Sequence, residues 1–195
     1  MPHYYDEEQE APLKPFRITV SARGQKIEVW SGNGVFSKDA LDDGTKLLIS
    51  DCVLSPGWHV HDLGCGSGVV SVVLKKAEPT LRVVASDVSR RAIELTQKNV
   101  GEHCPDVAVR HSDGYANVNE IFDTVLFNPP YVAGRETIYR LIDEAHAHLR
   151  PGGLLQLVAR HNKGGETLKR RLLVLFGNCD DARRQKGYRL YVAKK

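Results

Sequence analysis

Asp62-Leu63-Gly64-Cys65-Gly66-Ser67-Gly68 decides how this chain folds. An apolar run over residues 58–61 leads into it, and another over residues 69–74 follows. That order predicts a buried strand, a glycine turn and the start of a helix. Glycine lacks Cβ, so its backbone can turn through positive φ and approach a ligand closely. The free N–H groups at a helix start favour polar ligand atoms. A dinucleotide fingerprint requires G-x-G-x-x-G. Here the third glycine comes one residue early, and Val69 fills the position the fingerprint reserves for it.

Outward from this loop, strands and helices alternate. Apolar runs predict strands over residues 58–62, 81–87, 107–111, 124–128 and 154–159. Helical periodicity predicts helices over 68–76, 89–101, 135–149 and 164–176, with one more beginning near Asp42 or Asp43. Ser89 suits an N-cap, with Ala92, Ile93, Leu95 and Val100 turned to the sheet. Pro151-Gly152-Gly153 reads as a stop before the fifth strand. Alternating residues on either side of Ala22-Arg23-Gly24-Gln25 predict an N-terminal hairpin over 16–31. The runs flanking Gln185-Lys186-Gly187 predict a closing one. Residues 1–15 carry proline and charge without periodicity and are expected to be loose; residues 16–195 are expected to form one domain. Such an α/β order implies a doubly wound, mainly parallel sheet with right-handed crossovers.

At 42% apolar and 26% charged residues, the chain of 195 has material for one sizeable core. No apolar run approaches the roughly 18 residues of a membrane span, and the polar, acidic start does not suit a signal peptide. The four cysteines are scattered without a Cys-x-x-Cys pair. A metal site is therefore not expected, and reduced thiols in the cytoplasm are. The net charge of +3 conceals an asymmetry, because residues 160–195 hold eleven Lys/Arg against Glu166, Asp180 and Asp181. A basic C-terminal third suits a phosphate-rich partner or a solvated helix face. Lys163, Lys169, Arg170 and Arg171 are the candidates for tracking phosphate.

Ligands of doubly wound sheets bind at the carboxyl ends of the strands, where the strand order reverses. Those ends carry Asp62 with the glycine loop, then Asp87, then His111-Ser112-Asp113-Gly114, then Asn128-Pro129-Pro130-Tyr131. Carboxylates accept from ammonium groups and hydroxyl pairs through charge-assisted bonds. Each also has a plain structural use: Asp87 as a helix cap, Asp113 as a turn residue, Asp62 as an anchor for the glycine turn. Two successive prolines end a ladder and press the preceding Asn into an extended conformation, so its acceptors are held rigidly outward. Such acceptors suit a planar NH2 group, and Tyr131 offers a face on which a base can stack. His59 and His61 read as packing residues.

These residues carry a family resemblance. A G-x-G-x-G loop opened by an acid, with Asp87, Asp113 and Asn128-Pro129-Pro130-Tyr131, resembles the first four motifs of class I S-adenosylmethionine (AdoMet)-dependent methyltransferases that modify exocyclic or amide nitrogens. Gly34-Val35-Phe36-Ser37 and Asp42-x-Gly44-Thr45-x-Leu47-Leu48 resemble the lead-in of small-subunit ribosomal RNA guanine-N2 methyltransferases and their short single-domain relatives. Ala133-Gly134-Arg135 and Phe176-Gly177-Asn178 … Lys186-Gly187-Tyr188-Arg189 fit the same pattern. The resemblance runs from residue 16 to the C-terminus. It implies a Rossmann-like sheet of seven strands with the last antiparallel, beside the N-terminal β-hairpin. It implies AdoMet held by Asp62, Gly64, Cys65, Gly66, Gly68, Asp87, Val88, Asp113, Gly114 and Asn128. Catalysis falls to Asn128, Pro129, Pro130 and Tyr131: Asn128 and the Pro129 carbonyl hold the amine of an extruded guanine, and Tyr131 stacks. Phe36 and Ser37 read either as a cover for cofactor or base or as a hydrophobic plug beneath the hairpin.

The implied partner is RNA, either ribosomal RNA or a ribosomal subunit, and the chain is expected to act as a monomer or weak homodimer without metal or membrane. Two departures keep alternatives open. Only a hairpin precedes the domain, where two-domain relatives carry a further methyltransferase-like unit. Asn-Pro-Pro-Tyr is usual in glutamine-N5 methyltransferases of release factors and in adenine-N6 enzymes. A non-catalytic AdoMet- and RNA-binding assembly module is the remaining alternative.

Overall fold

A computed structural model of the chain describes residues 13–33 and 41–195. The Gly34-Val35-Phe36-Ser37 lead-in and residues 1–12 lie outside the described residues. A two-stranded hairpin, β1 (Pro15–Ala22) and β2 (Gln25–Gly32), comes first. Then follow α1 (Asp43–Asp51), β3 (His59–Leu63), α2 (Val69–Ala77), β4 (Arg82–Asp87), α3 (Arg90–His103) and β5 (Ala108–His111). The second half runs β6 (Phe122–Phe127), α4 (Arg135–Ala147), β7 (Leu149–Arg160), α5 (Gly165–Phe176), β8 (Asp180–Gln185) and β9 (Tyr188–Lys194).

Strands β3–β9 form one seven-stranded sheet in the order β5-β4-β3-β6-β7-β9-β8. Pairings from β5 to β7 are parallel, while β9 is antiparallel to both β7 and β8. Thus β9 alone runs against the rest, as the resemblance implied. The central strands are buried on both faces, which explains their nearly continuous apolar runs. Alternation sends Val60, Val83 and Leu126 into a core shared with α1, α2, α3 and the hairpin. Leu63, Val84 and Phe127 go to a second core beneath α4 and α5.

One expectation is corrected. Pro151-Gly152-Gly153 does not stop the chain before the fifth strand, because β7 already begins at Leu149. Phe122 pairs with Leu149 and Thr124 with Leu154, so the three residues are absorbed as an irregularity of the ladder. Gly152 donates to the Lys195 carbonyl at 2.7 Å, and Lys195 donates to that of Gly153 at 3.0 Å. The C-terminal backbone therefore supplies the partners that a local turn would have supplied.

The order reverses at β3. From it the chain moves outward to β4 and β5, then returns to the other side for β6 and β7. A crevice opens at such a switch point, beyond the carboxyl ends of the two strands. Here it falls between the glycine loop after β3 and Asn128 after β6.

Candidate functional site

Leu63 and Phe127 are register partners in adjacent parallel strands. Gly64 and Asn128 follow them directly, so the two motifs leave the sheet about 5 Å apart. Both line one open cleft of about 530 Å³, solvent at its mouth included, with Asp62, Cys65 and Gly66 on one side and Asp42 and Thr45 on the other. Ile18 and Ser31 of the hairpin close part of its wall. A second hollow of about 340 Å³ continues past Gly64 toward Asp87, Val88, Ser112, Gly114 and Pro130.

Gly64, Gly66 and Gly68 all take positive φ, at 69°, 60° and 75°. Space matters as much as conformation at Gly68, where a Cβ would come 2.7 Å from the Thr96 methyl. The loop is held from beneath by two carboxylates. Asp87 accepts the Gly66 N–H with one oxygen and the Ser89 N–H with the other, both at 2.9 Å. Asp62 accepts the Ser71 N–H at 3.1 Å and its hydroxyl at 2.7 Å, anchoring the first turn of α2. The structural uses of Asp62 and Asp87 therefore coexist with their places in the two lined hollows. Burial raises both acids to about 6, although the hydrogen bonds oppose it. Two desolvated carboxylates a few residues from an open cleft favour a ligand that brings positive charge or hydroxyl donors.

Asn128 is gripped through its amide nitrogen. Nδ2 donates to Thr45 Oγ1 at 2.9 Å and, more weakly, toward Asp42 Oδ1 at 3.4 Å. Asp42 is the N-cap of α1, accepting the Gly44 and Thr45 N–H groups at 2.9 and 3.0 Å. The Thr45 hydroxyl donates to the other Asp42 oxygen. This network permits one amide orientation. With its hydrogen given to Asp42, Thr45 Oγ1 is left to accept, and an ionised carboxylate can only accept. The NH2 group must face α1, and Oδ1 remains for the cleft. An acceptor held this way can receive a hydrogen from a planar amine.

The other candidate residues separate in space. Cys65 lines the cleft but is buried against Thr96, and burial pushes its thiol well up, so it stays protonated and unreactive. Gly114 lines the second hollow, where a Cβ would meet Glu144 at 2.2 Å. Asp113 does not line either hollow; it is half-exposed and paired with Arg140 at 2.7 Å. Pro129 lines neither hollow. The Tyr131 hydroxyl accepts the Arg160 N–H at 2.8 Å, and its ring lies beside Gly164 in a separate cavity.

His61 is fully buried between the Tyr115 hydroxyl and Ser86 Oγ and stacked on Phe122, and burial lowers it to about 3. It packs as a neutral ring, as expected. No cluster of metal-ligating side chains occurs among the described residues, and no helix there is long and apolar enough to cross a membrane.

Three contributors were missed from sequence. The Asp42–Thr45 clamp lies 83 to 86 residues from Asn128, beyond any local pattern. Ile18 and Ser31 reach the cleft because Asn99 binds both the Trp30 backbone and the Ser67 carbonyl, joining the hairpin to the glycine loop. Ser112 lines the second hollow and donates to the Gly114 carbonyl at 2.9 Å, shaping that turn.

The model of the family described as methyltransferase small domain matches residues 26–192. Over 197 residues the chain is 32% identical to a Pseudomonas aeruginosa protein named ribosomal RNA small subunit methyltransferase C, covering 96% of this chain and 58% of that one. It is 29% identical over 198 residues to YbxB of Bacillus subtilis, covering 99% and 98%. The Thermus thermophilus 16S rRNA N2 methyltransferase, solved with AdoMet and guanosine, superposes with a TM-score of 0.80 at 22% identity, over 96% of this chain and 52% of that one. That likeness shows a shared fold. The chain spans about half the length of the ribosomal RNA methyltransferases it matches.

Proposed function

The chain belongs to the methyltransferase small domain family, and on that premise we propose that it is an AdoMet-dependent N-methyltransferase acting on an exocyclic amine of RNA, the guanine N2 of small-subunit ribosomal RNA. The observation that carries this reading is the locked Asn128 amide facing the cleft beside the glycine loop. AdoMet, when bound, supplies an electrophilic methyl group on a sulfonium. The residues present fit it. The glycine loop leaves room that a Cβ at Gly68 would fill, and Asp62 and Asp87 are buried acids suited to an ammonium and a ribose diol. Val88, Ser112 and Gly114 frame the hollow for the adenine, with Asp113 between the last two in sequence and paired with Arg140.

The amine of guanine is a poor nucleophile because its lone pair is delocalised into the ring. Asn128 Oδ1 and the Pro129 carbonyl accept its two hydrogens, so the lone pair localises and points along one direction. Catalysis by this chain is orientation and electrostatic preorganisation. The base must leave its stack to reach the corner. Relatives named as ribosomal RNA methyltransferases support the choice of substrate. Residues 16–195 act in this reading as a single catalytic domain.

The test is methyl transfer from labelled AdoMet to small-subunit RNA, naked and in 30S-type particles, taken from cells lacking this gene, followed by nucleoside mass spectrometry. N2-methylguanosine is the expected product. Label in a release-factor glutamine, or in N6-methyladenosine, would overturn the substrate. AdoMet binding without turnover on any of these would overturn the enzyme.

A further inference from the structure

Past Asn128 the rim of the sheet changes character. β7 runs parallel to β6, so its end at Arg160 reaches the same rim as Asn128. β9 runs the other way and therefore begins there: Arg160 pairs with Tyr188, and the His161 N–H donates to the Gly187 carbonyl at 3.1 Å. The Tyr131 hydroxyl ties the Asn-Pro-Pro-Tyr corner to Arg160. Beside this tie is an open cavity of about 510 Å³, solvent at its mouth included, lined by Tyr131, Arg135, Ile138, Gly164, Thr167 and Leu168. The ring with Ile138 and Leu168 makes its apolar surface, and Arg135 stands at its edge.

No carboxylate lies within ion-pair distance of Arg135, Arg160 or Lys163 among the described residues; Arg160 packs over the Tyr188 ring at 5.1 Å, and its charge reaches Asp43 without an ion pair. The outer face of α5 is different, since Arg170 is paired with Glu166 at 2.6 Å and Arg171 with Asp143. Exposed apolar side chains point to the same place. Tyr131 and Val132 are 40% and 57% exposed at this rim. Other exposed apolar residues stand away from it: Val53 and Ile121 precede β3 and β6 at the opposite edge, and Leu173 and Val174 lie toward the end of α5.

We propose that this rim carries the single-stranded RNA flanking the target, with the neighbouring base in the Tyr131 cavity and its phosphates on Arg135, Arg160 and Lys163. The inference rests on the RNA reading of the Asn128 site and gives it a direction. Tyr131 is three residues from Asn128, hence within roughly 11 Å along the chain. A base lifted from its stack leaves a neighbour exposed. A tyrosine face is a sequence-tolerant platform for that neighbour, and unpaired cations hold the backbone on either side.

The test is anisotropy of a fluorescein-labelled, mixed-sequence single-stranded oligoribonucleotide, titrated with the full chain across a range of salt. Replacing Arg135 and Lys163 together (Arg135→Ala, Lys163→Ala) is expected to weaken binding and to flatten the log–log salt slope by about 0.7 for each phosphate that is no longer neutralised. Filling the cavity with Thr167→Trp is expected to weaken binding about 5- to 10-fold, within the range of one stacked base. It should not affect an abasic oligonucleotide of the same length. Lys169→Ala with Arg170→Ala should stay within about twofold. Unchanged thermal melting and AdoMet affinity establish that each variant is folded.

Rim variants that bind as the native chain does, with loss instead on the outer face of α5, would overturn the proposal. So would a native chain that does not bind the oligonucleotide. RNA binding that maps to this rim without RNA methylation would sink the catalytic reading and leave the track standing. RNA methylation with undisturbed rim variants would sink the track alone.

Discussion

The two sides of Asn128 are built on opposite plans. Toward the glycine loop the charges are carboxylates, and they are withdrawn from water: Asp62 and Asp87 are 3% and 6% exposed and satisfied by backbone N–H groups. Toward β7 the rim carries the exposed cations Arg135, Arg160 and Lys163, not ion-paired with a carboxylate among the described residues, next to a partly exposed aromatic ring, with Glu136 and Glu166 in the adjoining first helical turns. Buried charge costs desolvation that the backbone and Ser71 donors offset only in part, so the first side suits one small enclosed molecule that brings positive charge. Exposed cations cost little and are screened by salt, so the second side suits a polyanion held by many weak contacts. Asn128 stands where the two meet, the place for a group to pass from one ligand to the other.

The largest expected effect removes that meeting point. Asn128→Ala should lower kcat by at least the order of 10² to 10³ expected for loss of a preorganised polar group. AdoMet affinity should stay within a few-fold, measured by calorimetry on the same protein. Equal losses in both would mean that the residue belongs to the cofactor side alone.

Next comes the clamp. Thr45→Val deletes the hydroxyl that accepts from Asn128 while sparing the Asp42 cap. It should cost roughly 10- to 100-fold in kcat through misorientation, with little change in KM. Thr45→Ser should restore most of the rate. A Thr45→Val enzyme as fast as the native one would show that the amide needs no external hold.

The withdrawn carboxylates make a pH test. Both titrate near 6 in the free chain because burial raises them from the usual carboxylate range. A cationic ligand favours their ionised forms, so AdoMet affinity should fall as pH drops from 7 to 5, by up to about tenfold per unit for each proton taken up. Binding near pH 6 should release protons, read by calorimetry in buffers of different ionisation enthalpy. The same sign acts on stability. Acids raised on folding weaken the ligand-free fold as pH climbs through 6, and AdoMet should offset this. An affinity flat from pH 5 to 7 would break the contrast between the two sides.

The smallest effect is expected at Asp113. Its carboxylate is committed to Arg140 and half-exposed, so Asp113→Ala should change AdoMet affinity by less than about threefold, the scale of an exposed pair. A loss above about tenfold would place this residue in the adenine site.

What could be read from the sequence was whatever local chemistry dictates. The glycine loop announces a turn because its backbone needs positive φ, and Asn128-Pro129-Pro130 announces a strand end because proline cannot continue the ladder. The alternation of strands and helices then implied a doubly wound, mainly parallel sheet, while the antiparallel last strand came from the family resemblance. What could not be read depends on partners distant in the chain. Asp42 and Thr45 read as a helix start within the lead-in motif, and nothing local ties them to Asn128 until the fold delivers them there. Tyr131 looks like a platform over the target, yet a backbone N–H of Arg160 turns it toward the neighbouring cavity. Pro151-Gly152-Gly153 looks like a stop until Lys195 supplies backbone partners. Lys163, Lys169, Arg170 and Arg171 read as one phosphate track or as a solvated helix face. The i, i+4 pairing of Glu166 with Arg170 was open to sequence reading, whereas the tie from Arg171 to Asp143 on α4 was not.

A crystal structure of the chain with S-adenosylhomocysteine and guanosine tests the meeting of the two sides most directly. The cofactor product is expected across residues 64–68 with its ribose at Asp87, and the guanosine amine within about 2.6–3.2 Å of Asn128 Oδ1. A cofactor seated away from the glycine loop, or a guanosine bound with its amine out of reach of Asn128, would contradict the assignment.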